Sequence, residues 1–491
     1  MRTFAIARME PLGMDLQGSR YKPRRKSLKS VTVRHGDRTA KSTPPANLTD
    51  LGYEEVFTSG TYYRNRYVAS DASRHIYGLN SDLVKQSQII ASAPVDTVLQ
   101  VSAQAFLQGI YPPVGSQVGS TTLRNGTVVQ TPLNGYQLIP LQTVETGANS
   151  ENSAWLQGST NCANAQLSSN AYYTSAQYLE TLSRTQDLYN SIYPMINKTF
   201  SQSQTSFRNG YTIWDLLNVA SIHNATAEIP DDTTMTELKY LADQHEFGLA
   251  YNSSEPIRAI TGSIIAAEVV EALNATITSK GKSKLNIQFG AYAGMLSFFG
   301  LANLTEVNPD FFGVPDYASS LVWELVTNAS VTSTSFPSAD QISVRFLFHN
   351  GTTSDISEPV EYPLFNSGRS LLPWNDFVTG MNKFSIPDQQ SWCQACGNAT
   401  GVCSPSYLNN EDGSSSSSSS SGNNNSSGNS SSGGLSKVVC GVIGALVTLA
   451  VILLVQGAIV LLGGFRLVSK KRLGSHAGSV GSGEETFAAK A

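Results

Sequence analysis

The stretch from Leu48 to Val68, LTDLGYEEVFTSGTYYRNRYV, places apolar side chains at helical spacing, with Thr49 as an N-cap and acidic residues in the first turn. A second helix is expected over TGSIIAAEVVEAL, 261 to 273. A third, apolar on every side and so buried, is expected over AYAGMLSFFGL, 291 to 301. Strand signals differ in period. The short apolar run VTV, 31 to 33, stops at RHG as a strand entering a loop does, and SVRFLFHNGTT, 343 to 353, alternates and then turns at Asn350-Gly351, as a hairpin strand does. The two periodicities mix along the globular part, and no internal repeat is evident.

The pattern changes towards the C-terminus. Val438 to Phe465 is an uncharged run of 28 residues, and about 20 suffice to cross the hydrocarbon layer. Lys437 precedes it, while Arg466, Lys470, Lys471 and Arg472 follow, which predicts a cytoplasmic C-terminal side and a large part outside. A glycolipid anchor is the rival reading, but that signal ends in its apolar tail, and here a mostly polar stretch, 466 to 491, comes after. Residues 410 to 436, with serines at every position from Ser414 to Ser421, read as a flexible glycosylated spacer with a reach of about 28 Å by coil scaling. Residues 30 to 409 have globular composition, and 1 to 29 are basic and expected to be disordered.

Other features bear on that topology. Asn-X-Ser/Thr sequons occur at Asn47, Asn125, Asn197, Asn224, Asn252, Asn274, Asn303, Asn328, Asn350 and Asn398, and again at Asn424, Asn425 and Asn429, with none beyond the apolar run. Cys162, Cys393, Cys396 and Cys403 form an even set, which predicts two disulfides in an oxidising compartment, with all three pairings open. Cys440, at the edge of the apolar run, reads as a packed thiol. The first 30 residues carry no apolar stretch of signal-peptide type, so this start is expected to be a misassigned one. Charged residues make up only 14% of the chain and the net charge is −4, which excludes a nucleic-acid partner of the phosphate-neutralising kind.

Several blocks in order resemble the histidine acid phosphatases, branch 2 of the histidine phosphatase superfamily, and particularly fungal membrane-anchored members. VRHGDRTA (33 to 40) resembles the signature RHGXRXP, and the 48 to 68 helix resembles the one after it. VLQVSAQAFLQGIYPP (98 to 113) resembles a segment that usually begins Arg-Thr, FGAYAGMLSFFGL (289 to 301) the helix after a His-Asp pair, and SSLVWELV with SVRFLFHNGT the late antiparallel strands. The resemblance implies a phosphoglycerate-mutase-like α/β sandwich. A mixed, mostly parallel sheet is flanked by helices, with a helical cap inserted over roughly 100 to 240. It also implies phosphomonoester hydrolysis through a phosphohistidine, with no metal or cofactor.

By the same resemblance His35 is the nucleophile, and Arg34 and Arg38 are phosphate clamps. Arginine suits that role because its planar fork matches phosphate oxygens. The remaining positions depart from the pattern. Ala40 replaces the signature proline, Val98 stands where a third clamp arginine is expected, and Gln288-Phe289 stand at the His-Asp pair. Gln288 retains hydrogen-bonding capacity towards a phosphate oxygen, whereas Phe289 cannot protonate a leaving alcohol. His245-Glu246 is out of the family's order and reads as a structural pair, and His75, His223, His349 and His476 stand in no recognisable arrangement. The sequence therefore points to an impaired member that binds a phosphorylated ligand or serves as a surface interaction domain. The alternative is an active phosphomonoesterase with a non-standard proton donor.

Overall fold

In the computed structural model, which describes residues 26–144, 160–332 and 335–405, the apolar run VTV is the end of a longer strand. β1 is Lys26–Arg34, so residues 26 to 29, expected in a disordered N-terminal segment, belong to the sheet instead. The reason lies on the neighbouring strand: Lys29 is fully buried and forms an ion pair with the buried Glu324, so its charge does not keep the strand in solvent. After β1 come α1 (Asp50–Tyr63), β2 (Ile89–Pro94), α2 (Thr97–Ile110), the single-turn helix α3 (Gly115–Val118), β3 (Ser120–Thr122), β4 (Val128–Gln130), the single-turn α4 (Pro132–Gly135) and β5 (Leu141–Val144). A helical run follows: α5 (Ala163–Ala171), α6 (Ala176–Arg184), α7 (Gln186–Ile196), α8 (Gly210–His223), α9 (Asp232–Ala250) and α10 (Ile260–Thr278). The chain then forms β6 (Leu285–Gly290), α11 (Tyr292–Leu301), β7 (Ser320–Thr327), β8 (Ile342–His349), β9 (Val360–Glu361), β10 (Leu371–Pro373), α12 (Trp374–Met381) and α13 (Gln389–Cys396).

The main sheet has the order β10-β8-β7-β1-β6-β2-β5, with β9 also on β8. β1, β6, β2 and β5 are parallel, while β7 runs antiparallel to β1 and β8 antiparallel to β7, β9 and β10. The sheet is therefore half parallel and half antiparallel rather than mostly parallel. Parallel neighbours need long crossovers, which α1, α2 and α5 to α10 supply; β7, β8 and the strands after them are joined by loops and reverse direction. β6 shows that both faces are covered. Phe289 packs edge-on against Phe106 of α2, with ring centroids 5.5 Å apart, while its neighbour Gln288 turns the other way, towards Glu268 of α10.

The helix signals in the sequence correspond to elements. Thr49 caps α1 by accepting Gly52 N–H at 3.0 Å, and the end of the 48 to 68 stretch continues as a π-helical turn, Arg64–Val68. α11 is buried along most of its length. Pro256–Thr278 is long and apolar enough to cross a membrane, but half of it is buried and it packs on α11 and β1 as a core helix does. The uncharged run 438 to 465, the linker, the tail, the N-terminal segment 1 to 25 and the linker sequons lie outside the described residues.

A second apolar cluster, built by Tyr172, Tyr178, Tyr189, Ile192, Phe207, Ile213, Leu238 and Leu241, stands apart from the sheet core. It draws on α6 to α9, whereas α2 packs in the main core and β5 joins the sheet, so part of the expected 100 to 240 span belongs to the sandwich. Cys162 is bonded to Cys396 and Cys393 to Cys403. The first bond ties the start of α5 to α13. Among the sequons in the described residues, Asn47, Asn125, Asn197, Asn224, Asn274, Asn328 and Asn350 are exposed, and Asn252, Asn303 and Asn398 are half-buried.

Candidate active site

β1 ends at Arg34, and the chain leaves the sheet as the loop His35-Gly36-Asp37-Arg38 at the edge where parallel β1 and β6 both finish. This is where the strand ends of an open α/β sheet leave a crevice. The loop is pressed against the first turn of α1. A Cβ on Gly36 would stand 2.1 Å from the carbonyl oxygen of Gly52, and one on Gly52 would stand 2.0 Å from that of Asp37, so only glycine fits at either position. Ser102 of α2 approaches from below, its Oγ accepting Gly36 N–H at 3.3 Å.

His35 is fully buried. Its Nδ1 lies 2.8 Å from Gly36 O; a carbonyl can only accept, so Nδ1 carries a proton, which in the neutral ring leaves the lone pair on Nε2. Arg34 is also buried, at 3% exposure. Its Nη1 donates to Pro315 O, its guanidinium carbon lies 4.6 Å from the ring centroid of Tyr317 and 5.1 Å from that of Tyr292, and its Nε has no hydrogen-bond partner. Among the described residues no carboxylate pairs with it.

Arg38, the second expected clamp, is placed differently. It is fully buried and bound to Asp215 of α8, with Nη1 at 3.0 Å from Oδ1, and its Nη2 donates to Tyr211 OH at 3.3 Å. Asp215 also accepts Lys41 N–H at 2.8 Å. Asp37 is bound too: its Oδ1 takes Thr49 Oγ1–H at 2.5 Å and lies 2.6 Å from Nε2 of His223, at the end of α8. Glu55 of α1 accepts Asp37 N–H at 2.7 Å, and burial, with the nearby Asp37 charge, pushes its carboxyl up to about 7. One helix thus supplies Tyr211, Asp215 and His223 to the loop, an arrangement no local pattern signals because the pairs are far apart along the chain.

The strand register places the remaining expected positions. Gln288 pairs with Thr32 and Phe289 with Val33, while Gly290 is level with Arg34. Gln288 therefore lies two residues back from the level of Arg34, with its Nε2 directed to Glu268 at 3.5 Å. The residues that follow the end of β6 are Ala291 and Tyr292, and Tyr292 stands against Arg34. Its hydroxyl donates to Glu246 Oε2 at 2.7 Å, and His245 Nδ1 lies 2.8 Å from Glu246 Oε1. Burial alone would raise the Glu246 carboxyl, but His245, Tyr292 and the Lys41 charge outweigh it and hold it below its ordinary value. The pair His245-Glu246, out of order along the sequence, thus reaches the site through Tyr292. Val98 is buried in the first turn of α2, capped by Asp96, and contributes no donor beyond its own backbone.

Taken as chemistry, the site holds a buried imidazole that donates from Nδ1 and a guanidinium with no carboxylate partner among the described residues, and none of the expected residues sets an acid opposite His35. No cluster of His, Cys, Asp and Glu suited to a metal ion occurs among the described residues.

A family model for the histidine phosphatase superfamily (branch 2) matches residues 43–349. That span begins at residue 43 and does not include the His35-Gly36-Asp37-Arg38 loop. Among solved structures, the phytase from Citrobacter braakii is 12% identical, with a TM-score of 0.52, covering 76% of this chain and 99% of its own. The Klebsiella sp. ASR1 phytase is 13% identical with a TM-score of 0.48, covering 78% and 98%, and the D. castellii phytase 12% with 0.45, covering 80% and 86%. No curated protein matches the chain.

Proposed function

Because the chain belongs to the histidine phosphatase superfamily, branch 2, we propose that it is a catalytically impaired member that retains an anion pocket at Arg34 and His35 and uses it to bind a phosphorylated ligand. The observation that carries this reading is Arg34 itself. A guanidinium this deeply buried is ordinarily paired with a carboxylate, yet Arg34 has only a carbonyl and two ring faces, with Nε unpartnered. An anion is the partner its chemistry lacks.

Impairment rests on what stands around it. Losing one electrostatic donor typically costs ~10²- to 10³-fold, and losing general acid catalysis ~10²- to 10⁴-fold. Val98 offers no third clamp, Arg38 is engaged by Asp215, and Ala291-Tyr292 follow the end of β6 without a carboxylic acid of their own. The second reading, an active phosphomonoesterase working through a phosphohistidine at His35, is supported by the His35 tautomer and by Glu246 held behind Tyr292. In either case the uncharged run 438 to 465 anchors the domain in a membrane, and the sequons and the two disulfides suit an outward, oxidising side.

The test uses the full-length chain in detergent with an activated aryl phosphate at acidic and neutral pH. We expect equal rates for the wild type and His35→Ala, together with phosphate binding that is lost in Arg34→Ala. A trapped phosphohistidine on His35 overturns the impaired reading in favour of the second.

A further inference from the structure

The loop that leads into β7, Gly313 to Ser319, is held from two sides. On one side Asp243 of α9 accepts Val314 N–H at 2.8 Å, and Lys239 reaches Val314 O at 3.4 Å. On the other, Ala318 N–H donates to the carbonyl of His35 at 2.9 Å. Between these anchors the loop enters the site. Pro315 O accepts from Arg34, and the Tyr317 ring centroid lies 4.6 Å from the Arg34 guanidinium carbon, 5.6 Å from the His35 ring centroid and 5.7 Å from the Arg38 guanidinium carbon. Its hydroxyl is 3.5 Å from Asp215 Oδ1.

One ring therefore sits against Arg34 and His35, the two groups of the proposed anion pocket, and beside Arg38. Resting on the anion-pocket reading above, we propose that Tyr317 is an autoinhibitory plug. Its ring occupies the phosphate position, the Pro315 carbonyl takes the place of a phosphate oxygen on Arg34, and the ligand binds only when Tyr317 withdraws.

Two further observations bear on movement of the loop. Ala318, next to the plug, has φ +60°, a left-handed conformation that costs a non-glycine residue energy and persists only under outside constraint. Behind the loop lies an open groove of about 1360 Å³, lined by Lys239, Asp243, Phe312, Pro315, His349 and Asn350 but not by Arg34, His35 or Arg38. Pro315 touches both sides, so a shift of the loop towards the groove has room. Phosphate offers Arg34 charge-assisted hydrogen bonds, which are stronger than the neutral carbonyl contact it makes in the plugged form.

The plugged form lowers apparent affinity by the fraction of molecules that are open. With an open state of roughly 0.1–10%, Tyr317→Ala is expected to bind inorganic phosphate at least about tenfold more tightly than the wild type, read by calorimetry on the full-length chain. The gain should vanish in Tyr317→Ala/Arg34→Ala. An unmutated readout guards against misfolding of the variant: in the wild type, nitration of Tyr317 followed by mass spectrometry should rise when phosphate is added. If phosphate binds the wild type through Arg34 while Tyr317→Ala binds no better and Tyr317 nitration does not rise, the plug is refuted and the pocket stands. If phosphate binds neither protein, or binds Arg34→Ala undiminished, the pocket reading falls and the plug with it.

Discussion

β1 carries a buried lysine near its start and a buried arginine at its end, and the surroundings treat the two cations in opposite ways. Lys29 meets Glu324, which also takes Arg345 Nε–H at 2.8 Å and Tyr67 OH at 2.6 Å. The Lys29 ammonium lies 3.9 Å from the Tyr67 ring centroid as well. Burial alone would raise the Glu324 carboxyl, but Lys29 and Arg345 hold it well below its ordinary value. Arg34, five positions along the same strand, has no carboxylate among the described residues. A charge cluster that serves only the fold satisfies its members internally. Arg34, left without a carboxylate where β1 and β6 end, is the observation on which the proposed anion site rests.

The sharpest way to break this comparison is to remove the carboxylate at the structural end. Glu324→Gln leaves Lys29 and Arg345 without their common counter-charge, and loss of one partner from a buried pair costs about 3–5 kcal/mol. We expect a lowered denaturation midpoint that added phosphate does not restore.

Asp215→Asn makes the matching change at the other end. Arg38 keeps Thr39 O and Tyr211 OH, so the expected loss is smaller, ~1–3 kcal/mol. Phosphate should recover part of it, since the freed Arg38 then joins Arg34 in holding the anion. Thermal melts of both variants with and without phosphate decide the matter. Equal rescue in the two, or rescue in neither, would erase the distinction drawn between the ends of β1.

A pH series sharpens it further. Burial, ahead of the Asp37 charge, raises Glu55 from its ordinary value of 4.5 to about 7. The folded state then binds more protons than the unfolded state between those values, so the stability from Glu55 is fully present below 4.5 and is lost as pH rises through 7. Glu324 behaves in the opposite sense. Its folded value is depressed, so its contribution is present above 4.5 and is lost only as pH falls well below that. Melting temperature followed from acid to neutral pH should decline for the wild type relative to Glu55→Gln, and identical profiles would contradict the buried position of Glu55.

How much of this was legible in the sequence differs between these regions. The Thr49 cap, the buried helix after β6 and the strand ending at RHG could be read because each signal is local: a cap and its helix, or a run and its period. Arg34 and His35 were singled out through a local block too, VRHGDRTA, by its resemblance to the family signature. Lys29 was not, because a lysine in a strand looks exposed until Glu324, distant along the chain, is seen to lie beside it. Asp215, Tyr317, Glu246 and His223 were hidden likewise, since each reaches the loop from another element. The resemblance supplied the order of the blocks but not the register of β6.

Register makes the last and smallest prediction. Along a strand, alternate residues face opposite sides, and each step moves a side chain about 3.3 Å. Gln288 sits level with Thr32, two steps short of the Arg34 level, and faces Glu268 on α10. Gln288→Ala should therefore alter phosphate affinity less than about twofold, while removing the Oε1 acceptor that is buried there without a partner. Tyr292→Ala, which strips a ring from Arg34 and the hydroxyl from Glu246, should alter it more. Calorimetry on the two variants separates alignment from geometry. A larger effect at Gln288 than at Tyr292 would mean that the loop, and not α10, is what this glutamine serves.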